Sequence, residues 1–335
     1  MARKSNKQMG LQDAIKHFSE PANVLAYMTR LRWPDGVVTC PTCGREDAPF
    51  LKNQNKWQCK SVHPKRQFSA KVGTIFEDSP IPMDKWLVAV WMLSDCRNGV
   101  SSYELARAIG VTQKSAWFML HRIRKAMQTG SISKLGGGGG EVESDETFVG
   151  GKTRNMHKTR RMKIRAAAGV PVYPCESPYA GKTAVIGILD RDARTIRAQV
   201  LPNMKRETLQ NQILNNVEHG AKLYTDSAIG YDKLADRYAH EVVNHTTEYV
   251  RGRVHTNGLE NFWSLLKRSL HGTYVAVEPF HLDRYVDEQV FRFNNRGTKE
   301  HKVSDFTRFT RAMSQVAGKR LTFAEVTGKV GETAF

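Results

Sequence analysis

No stretch of this chain is long and apolar enough to span a bilayer. The longest apolar run, Trp86–Leu93, falls far short of the roughly 20 residues that a membrane helix needs. The start, Met1-Ala-Arg-Lys, is followed by Ser, Asn and Gln rather than by the apolar core of a secretory signal. Cysteine is scarce: there are five in 335 residues and two form a CxxC, which is no even disulfide framework. Negative charge is also short, 33 Asp and Glu against 51 Lys and Arg, for a formal charge of +18. The chain is therefore expected to be soluble and cytoplasmic, with no membrane partner and a polyanion to bind. Membrane surfaces attract cations too, but they call for a basic amphipathic helix with exposed apolar residues. The densest basic run, Lys152–Arg165, has seven Lys or Arg, no acid and few large apolar side chains. Nucleic acid, whose counterions Lys and Arg displace, is the better fit. Solvated loop is the plain alternative for that run taken alone.

What is present divides into parts. With 40% hydrophobic and 25% charged residues the composition is globular, and the length suits about two domains. Five consecutive glycines, Gly136–Gly140, predict a linker over 131–140. Before it, residues 13–78 are rich in Cys, Gly, Pro and aromatics around positions 38–76, and 79–130 carry apolar stretches of helical length. After it, strand-like runs at Glu141–Val149, Thr183–Asp190, Arg194–Leu201, Ala221–Thr225 and Glu241–Asn244 alternate with helical patterns at Glu207–His219, Tyr231–Tyr238, Gly258–Leu270 and Pro279–Asn294. That order predicts an α/β domain over 141–300, a mixed sheet with flanking helices, followed by a tail at 301–335.

Cys40-Pro-Thr-Cys43-Gly is a zinc-knuckle shape, with Cys59-Lys-Ser-Val-His63 downstream. Zinc takes four soft or borderline ligands in a tetrahedron, and short spacing lets one turn supply two of them. A second CxxC would put Cys at position 62. Val62 stands there, so His63 must complete a Cys3His site for one structural Zn2+. A redox CxxC is the rival, but the βαβ pattern it usually accompanies is missing nearby. Cys96 and Cys175 read as single thiols. Farther on, residues 99–117 read as helix, tight turn at Gly110 and helix capped by Thr112. The second helix is expected to offer Gln113, Lys114, His121 and Arg122 to bases or phosphates. Many helical hairpins bind nothing, but this one lies beside a metal module in a basic chain.

Three carboxylates stand out by placement: Asp145 in the first strand of the later domain, Asp226 at a strand end and Glu260 opening a helix. A strand-end aspartate faces the ligand crevice of an α/β sheet. Hard cations such as Mg2+ or Mn2+ want oxygen ligands, and two of them serve phosphodiester chemistry. In that helix Leu259, Phe262, Trp263, Leu266 and Leu270 form an apolar stripe, leaving Glu260, Ser264 and Lys267 on another face. The competing reading of Asn257-Gly-Leu-Glu260 is a capping box. Glu143, Glu146 and Asp232 are further carboxylates that spacing does not exclude.

The succession CPTC, WQCK, RQFSAKVGTIFEDSPIPMDKW, VESDETFVGGK, LYTDSAIGY and HTNGLENFWSLLKRSLHGTY, in order from about Asp13 to Arg296, resembles bacterial insertion-sequence transposases of the DDE superfamily, in the zinc-ribbon, ISXO-like group. The resemblance implies a ribonuclease H-like catalytic domain behind a zinc ribbon and a helix-turn-helix. It implies two Mg2+ (or Mn2+) ions held by Asp145, Asp226 and Glu260, with Asn257 a rival or auxiliary third residue and Lys267 seven positions after Glu260. The expected partners are double-stranded DNA, at terminal inverted repeats and target, and a second copy of the chain, a dimer or higher when bound to DNA. Lys152, Arg154, Lys158, Arg160, Arg161, Lys163 and Arg165 are expected to grip DNA phosphates. A non-catalytic DNA-binding regulator and a plain metal-dependent nuclease are the rival functions.

Overall fold

The structure, a computed structural model, describes residues 9–130, 133–151, 157–159, 162, 182–226, 231, 234, 236–243, 255–298 and 301–329. The chain divides into two compact units, Met1–Thr129 with Asn295–Phe335, and Gly130–Asn294. Among the described residues no helix is long and apolar enough to cross a membrane.

The first unit begins with α1 (Leu11–Phe18) and α2 (Pro21–Arg32). A small antiparallel sheet follows, β1 (Phe50–Leu51), β2 (Lys56–Gln58) and β3 (Gln67–Phe68), paired in that order. Trp57 is opposite both Phe50 and Phe68 in register, and the Trp33 ring packs edge-on to it at 5.0 Å. Trp33, just after α2, thus adds to the three strand aromatics to close a core too small for the sheet to complete alone. Helices α3 (Met83–Asp95), α4 (Ser102–Ile109) and α5 (Gln113–Met127) come next. The Thr112 hydroxyl accepts the Ser115 N–H to start α5, as the sequence predicts, and Ser101 with Glu104 forms a capping box on α4.

The last described residues are no tail. Helices α9 (Asp305–Met313) and α10 (Phe323–Thr327) belong to this first unit. Phe309, fully buried, lies 5.0 Å from the Trp91 ring, and Arg308 Nε donates to Asp95 Oδ1 at 2.8 Å. Lys319 Nζ donates to the carbonyls of Ala126 and Gln128 at the end of α5. The expectation of a separate 301–335 segment fails because its partners lie about 200 residues earlier, where no local pattern reveals them.

The second unit is a five-stranded sheet, β4 (Glu141–Val149), β5 (Thr183–Asp190), β6 (Thr195–Val200), β7 (Lys222–Asp226) and β8 (Ala239–Val243), in spatial order β6-β5-β4-β7-β8. β4, β5 and β6 run antiparallel to one another, whereas β7 pairs parallel with β4 and β8 with β7. Side chains alternate across the sheet. Ile188 and Leu223 face α6 (Arg206–Asn216), packing with its Ile213, while Val185 and Leu189 face α7 (Asn257–Ser269) and α8 (Leu282–Asn294). The free edge of β6 is blunted by α8: Asn294 exchanges both backbone bonds with Ile196, and Asp283 accepts the Val200 N–H. The expected helix over Tyr231–Tyr238 is not an α-helix at its described residues. Tyr231, Leu234 and Tyr238 are core side chains of the α6 face.

Gly136–Gly140 is packed into this unit rather than strung between domains. Gly136 has φ +76°, donates its N–H to Asp190 Oδ2 at 2.8 Å, and a Cβ there would stand 2.7 Å from Ala221 and Val142 atoms. Space excludes a side chain at Gly136 and crowds one at Gly140, whereas the exposed Gly138 and Gly139 have open surroundings and are favoured by their positive φ of +70° and +77°.

The helix that matters most, α7, lies unusually close to the sheet. A Cβ on Gly187 of β5 would come within 2.8 Å of Leu259 and Trp263 atoms, and one on Gly258 would come within 2.3 Å of Leu189. Replacing Gly187 with Ala is expected to overpack this seam and cost about 1–3 kcal/mol in urea unfolding. Unchanged stability would mean that the helix can back away from the sheet freely.

Candidate functional site

Two constellations are positioned by these folds. In the first unit, the ligand atoms of Cys40, Cys43, Cys59 and His63 all lie within 4.8 Å of one another. Cys43 Sγ is 3.4 Å from Cys59 Sγ, and His63 Nε2 is 3.5 Å from Cys40 Sγ. Tetrahedral zinc with bonds of about 2.3 Å would set its sulfurs about 3.7 Å apart, so the cage has the right size and donor chemistry. Backbone bonds shape it: Gly44 N–H to Cys40 O, Cys40 N–H to Arg45 O and Cys59 N–H to Arg66 O. The Cys43 thiol is pulled down to about 6, first by a backbone N–H at Arg45 and then by the Cys59 thiol, which favours the thiolate that a metal needs. Val62, at the position of the missing cysteine, is 94% exposed and His63 turns in instead. Among the described residues this is the one group of His, Cys, Asp or Glu that converges so tightly.

The acidic constellation forms on the α7 face of the second sheet. Ser144 of β4 is in register with Thr225 of β7. One step beyond that last pair, strand alternation sets Asp145 and Asp226 on the same face of neighbouring strands, close enough for the Asp226 charge to act on Asp145. Trp263 Nε1 of α7 donates to Asp145 Oδ2 at 2.9 Å. The Asp145 carboxyl is pushed up to about 6, chiefly by burial. The Trp263 N–H pulls the other way, and the charges of Asp226 and then Glu260 add to the rise. Those three carboxylates thus share one electrostatic environment. Glu260, Ser264 and Lys267 are exposed on one face of α7 above its buried stripe, as their spacing predicts, and Asn257 is exposed at its first turn.

The capping-box reading of α7 does not hold. Its N-cap is Thr256, with no side-chain cap, so Asn257 is the first helical residue and Glu260 the fourth. The cap comes from the sheet: Glu143 Oε2 accepts the Leu259 N–H at 3.0 Å. Its other oxygen takes a 2.7 Å bond from Arg191 Nε, and Arg191 in turn bonds His255 O and stacks 4.5 Å from the Tyr224 ring. A buried carboxylate at a helix N-terminus complements both its free amides and its dipole. Glu143 therefore pins α7 to the strand that carries Asp145 and leaves the Glu260 side chain uncommitted. Its position two residues before Asp145, on the same strand face, is the sequence signal for it. No such signal exists for Arg191 or for the Trp263 bond. Glu146 points the other way, where the Tyr231 hydroxyl donates to it, and burial first, then Asp145 and Asp226, push it up to about 8.

The expected nucleic-acid contacts need correction. His121 and Arg122 are buried: His121 lies 4.4 Å from the Trp117 ring, and Arg122 donates to the Glu77 carbonyl beneath the rings of Trp86 and Phe118. Helix α5 is packed by α3, α4, α9 and α10, so its covered arc is wider than a two-helix reading allows. Gln113 is half-buried and bonds Ser102 Oγ at 2.8 Å. Lys114 is exposed, its ammonium 5.0 Å from the Phe323 ring. Lys158 is exposed, whereas Lys152, Arg154, Arg160, Arg161, Lys163 and Arg165 lie outside the described residues.

Comparison with known proteins agrees with this layout. A family described as the ISXO2-like transposase domain matches residues 136–294, and one described as a transposase zinc-ribbon domain matches 22–61, ending just before His63. A protein of the transposable element ISH50 from Halobacterium salinarum is 28% identical over 266 residues, spanning 76% of this chain and 85% of its own length. A transposase-like protein of Haemophilus influenzae is 33% identical over 101 residues, 30% of this chain and 81% of its own length. Among solved structures, a chain from a complex of the simian T-cell lymphotropic virus intasome with PP2A regulatory subunit B56 gamma aligns over 61% of this chain and 65% of its own, at 13% identity and a TM-score of 0.27, too slight a likeness to bear on fold. The two family matches fall in the order in which the structure sets ribbon and sheet, and the chain belongs to the ISXO2-like insertion-sequence transposases.

Proposed function

We propose that this chain is an active DNA transposase that cuts the ends of its insertion sequence and joins them to target DNA. The second unit serves as a ribonuclease H-like catalytic domain, with Asp145, Asp226 and Glu260 as the acidic triad and Asn257 beside them. The observation that carries the reading is that Asp145 and Asp226 share one face of adjacent strands, with Trp263 of the helix that bears Glu260 bonded to Asp145 and the charges of Asp226 and Glu260 acting on it. Half-buried Asp145 and Asp226, with Glu260 exposed above them, fit a hard divalent cation, whose charge offsets the desolvation and mutual repulsion that raise Asp145. Two Mg2+ or Mn2+ ions in such a site supply Lewis-acid stabilisation of phosphodiester hydrolysis and transesterification.

The remaining steps belong to the protein's own groups. Trp263 fixes the Asp145 carboxylate by its indole N–H. Glu143 and Arg191 hold α7 so that Glu260 faces the two aspartates. Lys267, two turns along the exposed face, meets a phosphate of the bound strand. The Cys40, Cys43, Cys59 and His63 cage holds one structural Zn2+, and the ribbon with the α4–α5 helix-turn-helix binds the terminal inverted repeats, Lys114 being the exposed α5 residue for that contact. Lys158 and its basic neighbours grip phosphates, and two copies act together to hold two ends.

Two experiments test this. On a plasmid carrying the gene with its native flanks, the wild type with Mg2+ is expected to cut at two defined ends. Asp226→Ala is expected to cut at least about a thousandfold more slowly while end binding stays within a few fold. Binding lost in step with cleavage would make Asp226 structural, and specific binding without cutting in any divalent metal would favour a regulator. Metal analysis is expected to find about one zinc per chain, falling in both Cys43→Ala and His63→Ala. A folded, zinc-free wild type would remove the metal from the ribbon.

A further inference from the structure

Immediately beyond α7 the backbone departs from regular geometry at a place the catalytic reading does not use. The helix runs into a π-helical turn, Leu270–Tyr274, a rare form that occurs mostly as single turns and frequently at functional sites. The next residue, Val275, has φ +60° and ψ −57°, and Ala276 N–H closes back onto Tyr274 O at 2.6 Å. This is the strained form of the γ-turn, and a β-branched residue is the least suited to it.

The strain brings no burial in return: Val275 is 76% exposed, and Phe280, five residues on with its ring 5.1 Å from that of His281, is 60% exposed. The base beneath is rigid. The Tyr274 ring packs against Tyr285 at 4.7 Å, and its hydroxyl donates to Glu288, a buried carboxylate also bonded by Arg292 of α8. An apolar tip held out by a packed base, in a conformation that no contact among the described residues rewards, points to a partner that receives it. The approach to the tip identifies that partner. Lys267, Arg268 and His271 are exposed along the same helix, leading from Glu260 to the loop.

We propose that Val275, backed by Phe280, is a wedge that enters the base stack of the bound DNA. Lys267, Arg268 and His271 hold the backbone between the wedge and the scissile phosphate. Eleven residues separate Glu260 from His271, about 16 Å of helix, which corresponds to about five nucleotides and sets the opened step about five to seven base pairs from the cut. Apolar side chains inserted at a base step unstack it and kink the duplex. The inference rests on the transposase reading and adds to it where, and with which residues, the enzyme deforms its substrate.

The test uses the full chain and a duplex carrying one end mapped by the plasmid assay, with 2-aminopurine placed at successive positions. Wild type is expected to raise the fluorescence several-fold at one step, about five to seven base pairs from the cut. Val275→Gly accepts a positive φ, so its melting midpoint should equal or exceed that of the wild type, while the fluorescence rise is lost and cleavage slows at least tenfold. Phe280→Ala should show the same loss in part. A wild type that cuts with no fluorescence change at any position overturns the wedge and leaves the transposase reading intact. So does a folded Val275→Gly that cuts and unstacks like the wild type. A Val275→Gly that fails to fold contradicts the strain argument. Lost activity with a change in self-association but no unstacking overturns the wedge in favour of a contact between copies. A wild type that neither binds nor cuts the ends removes both readings.

Discussion

The seam between α7 and the sheet is the constraint on which the candidate active site depends. Leu259, Phe262, Trp263 and Leu266 are buried there, each contributing about 2 kcal/mol. Burial alone would let the helix slide or rotate, because hydrophobic contact is not directional. Two further features fix it. Gly187 and Gly258 bring the backbones closer than side chains permit, and the Glu143 carboxylate, itself held by Arg191, takes the amide of Leu259. With those contacts made, the turn that carries Asn257 and Glu260 has one place to sit, and Trp263 reaches Asp145 from it.

That placement explains why acidic groups are gathered where repulsion opposes them. Asp145 and Asp226 occupy the same face at the parallel junction of β4 and β7, and burial raises Asp145 to about 6 despite the indole N–H. Glu143 is more deeply buried but has a neutralising partner in Arg191, so one strand carries a structural carboxylate and a proposed catalytic one two residues apart. The difference lies in their partners rather than in their residue type. In the ribbon the same logic appears with softer ligands: the peptide fold sets three sulfurs and one imidazole at zinc spacing, and the histidine enters one residue later than a cysteine would.

Much of this was legible in the sequence where the information is local. The helix spans of α4 and α5, the strands at Glu141–Val149 and Thr183–Asp190, the apolar stripe of α7 and the Cys3His set follow from periodicity, caps and ligand chemistry over short windows. Misreadings share a physical origin in contacts between residues distant in sequence. His121 and Arg122 fall in a part of α5 that is exposed in a lone hairpin and covered once α9, α10 and α3 pack around it. The glycine run reads as linker because its partners, Val142, Asp190 and Ala221, lie on strands that only the folded sheet brings to it. The trans cap from Glu143 displaced a capping box that fitted the local pattern well. Among the described residues, what the sequence left open at the acidic site was the division of labour among neighbouring carboxylates, which side-chain direction decides.

The central claim is that Asp145, Asp226 and Glu260 together bind a divalent cation. Paramagnetic titration of zinc-loaded protein with Mn2+ between pH 5 and 8 tests it most directly, since unbound Mn2+ is counted by its own signal. A protonated carboxyl is a poor ligand, so affinity should rise as pH passes through about 6, where Asp145 ionises, and level off above it. Asp145→Asn should lose at least tenfold in affinity together with that rise. Absence of saturable Mn2+ binding, or binding that Asp145→Asn leaves unchanged at every pH, would contradict the account.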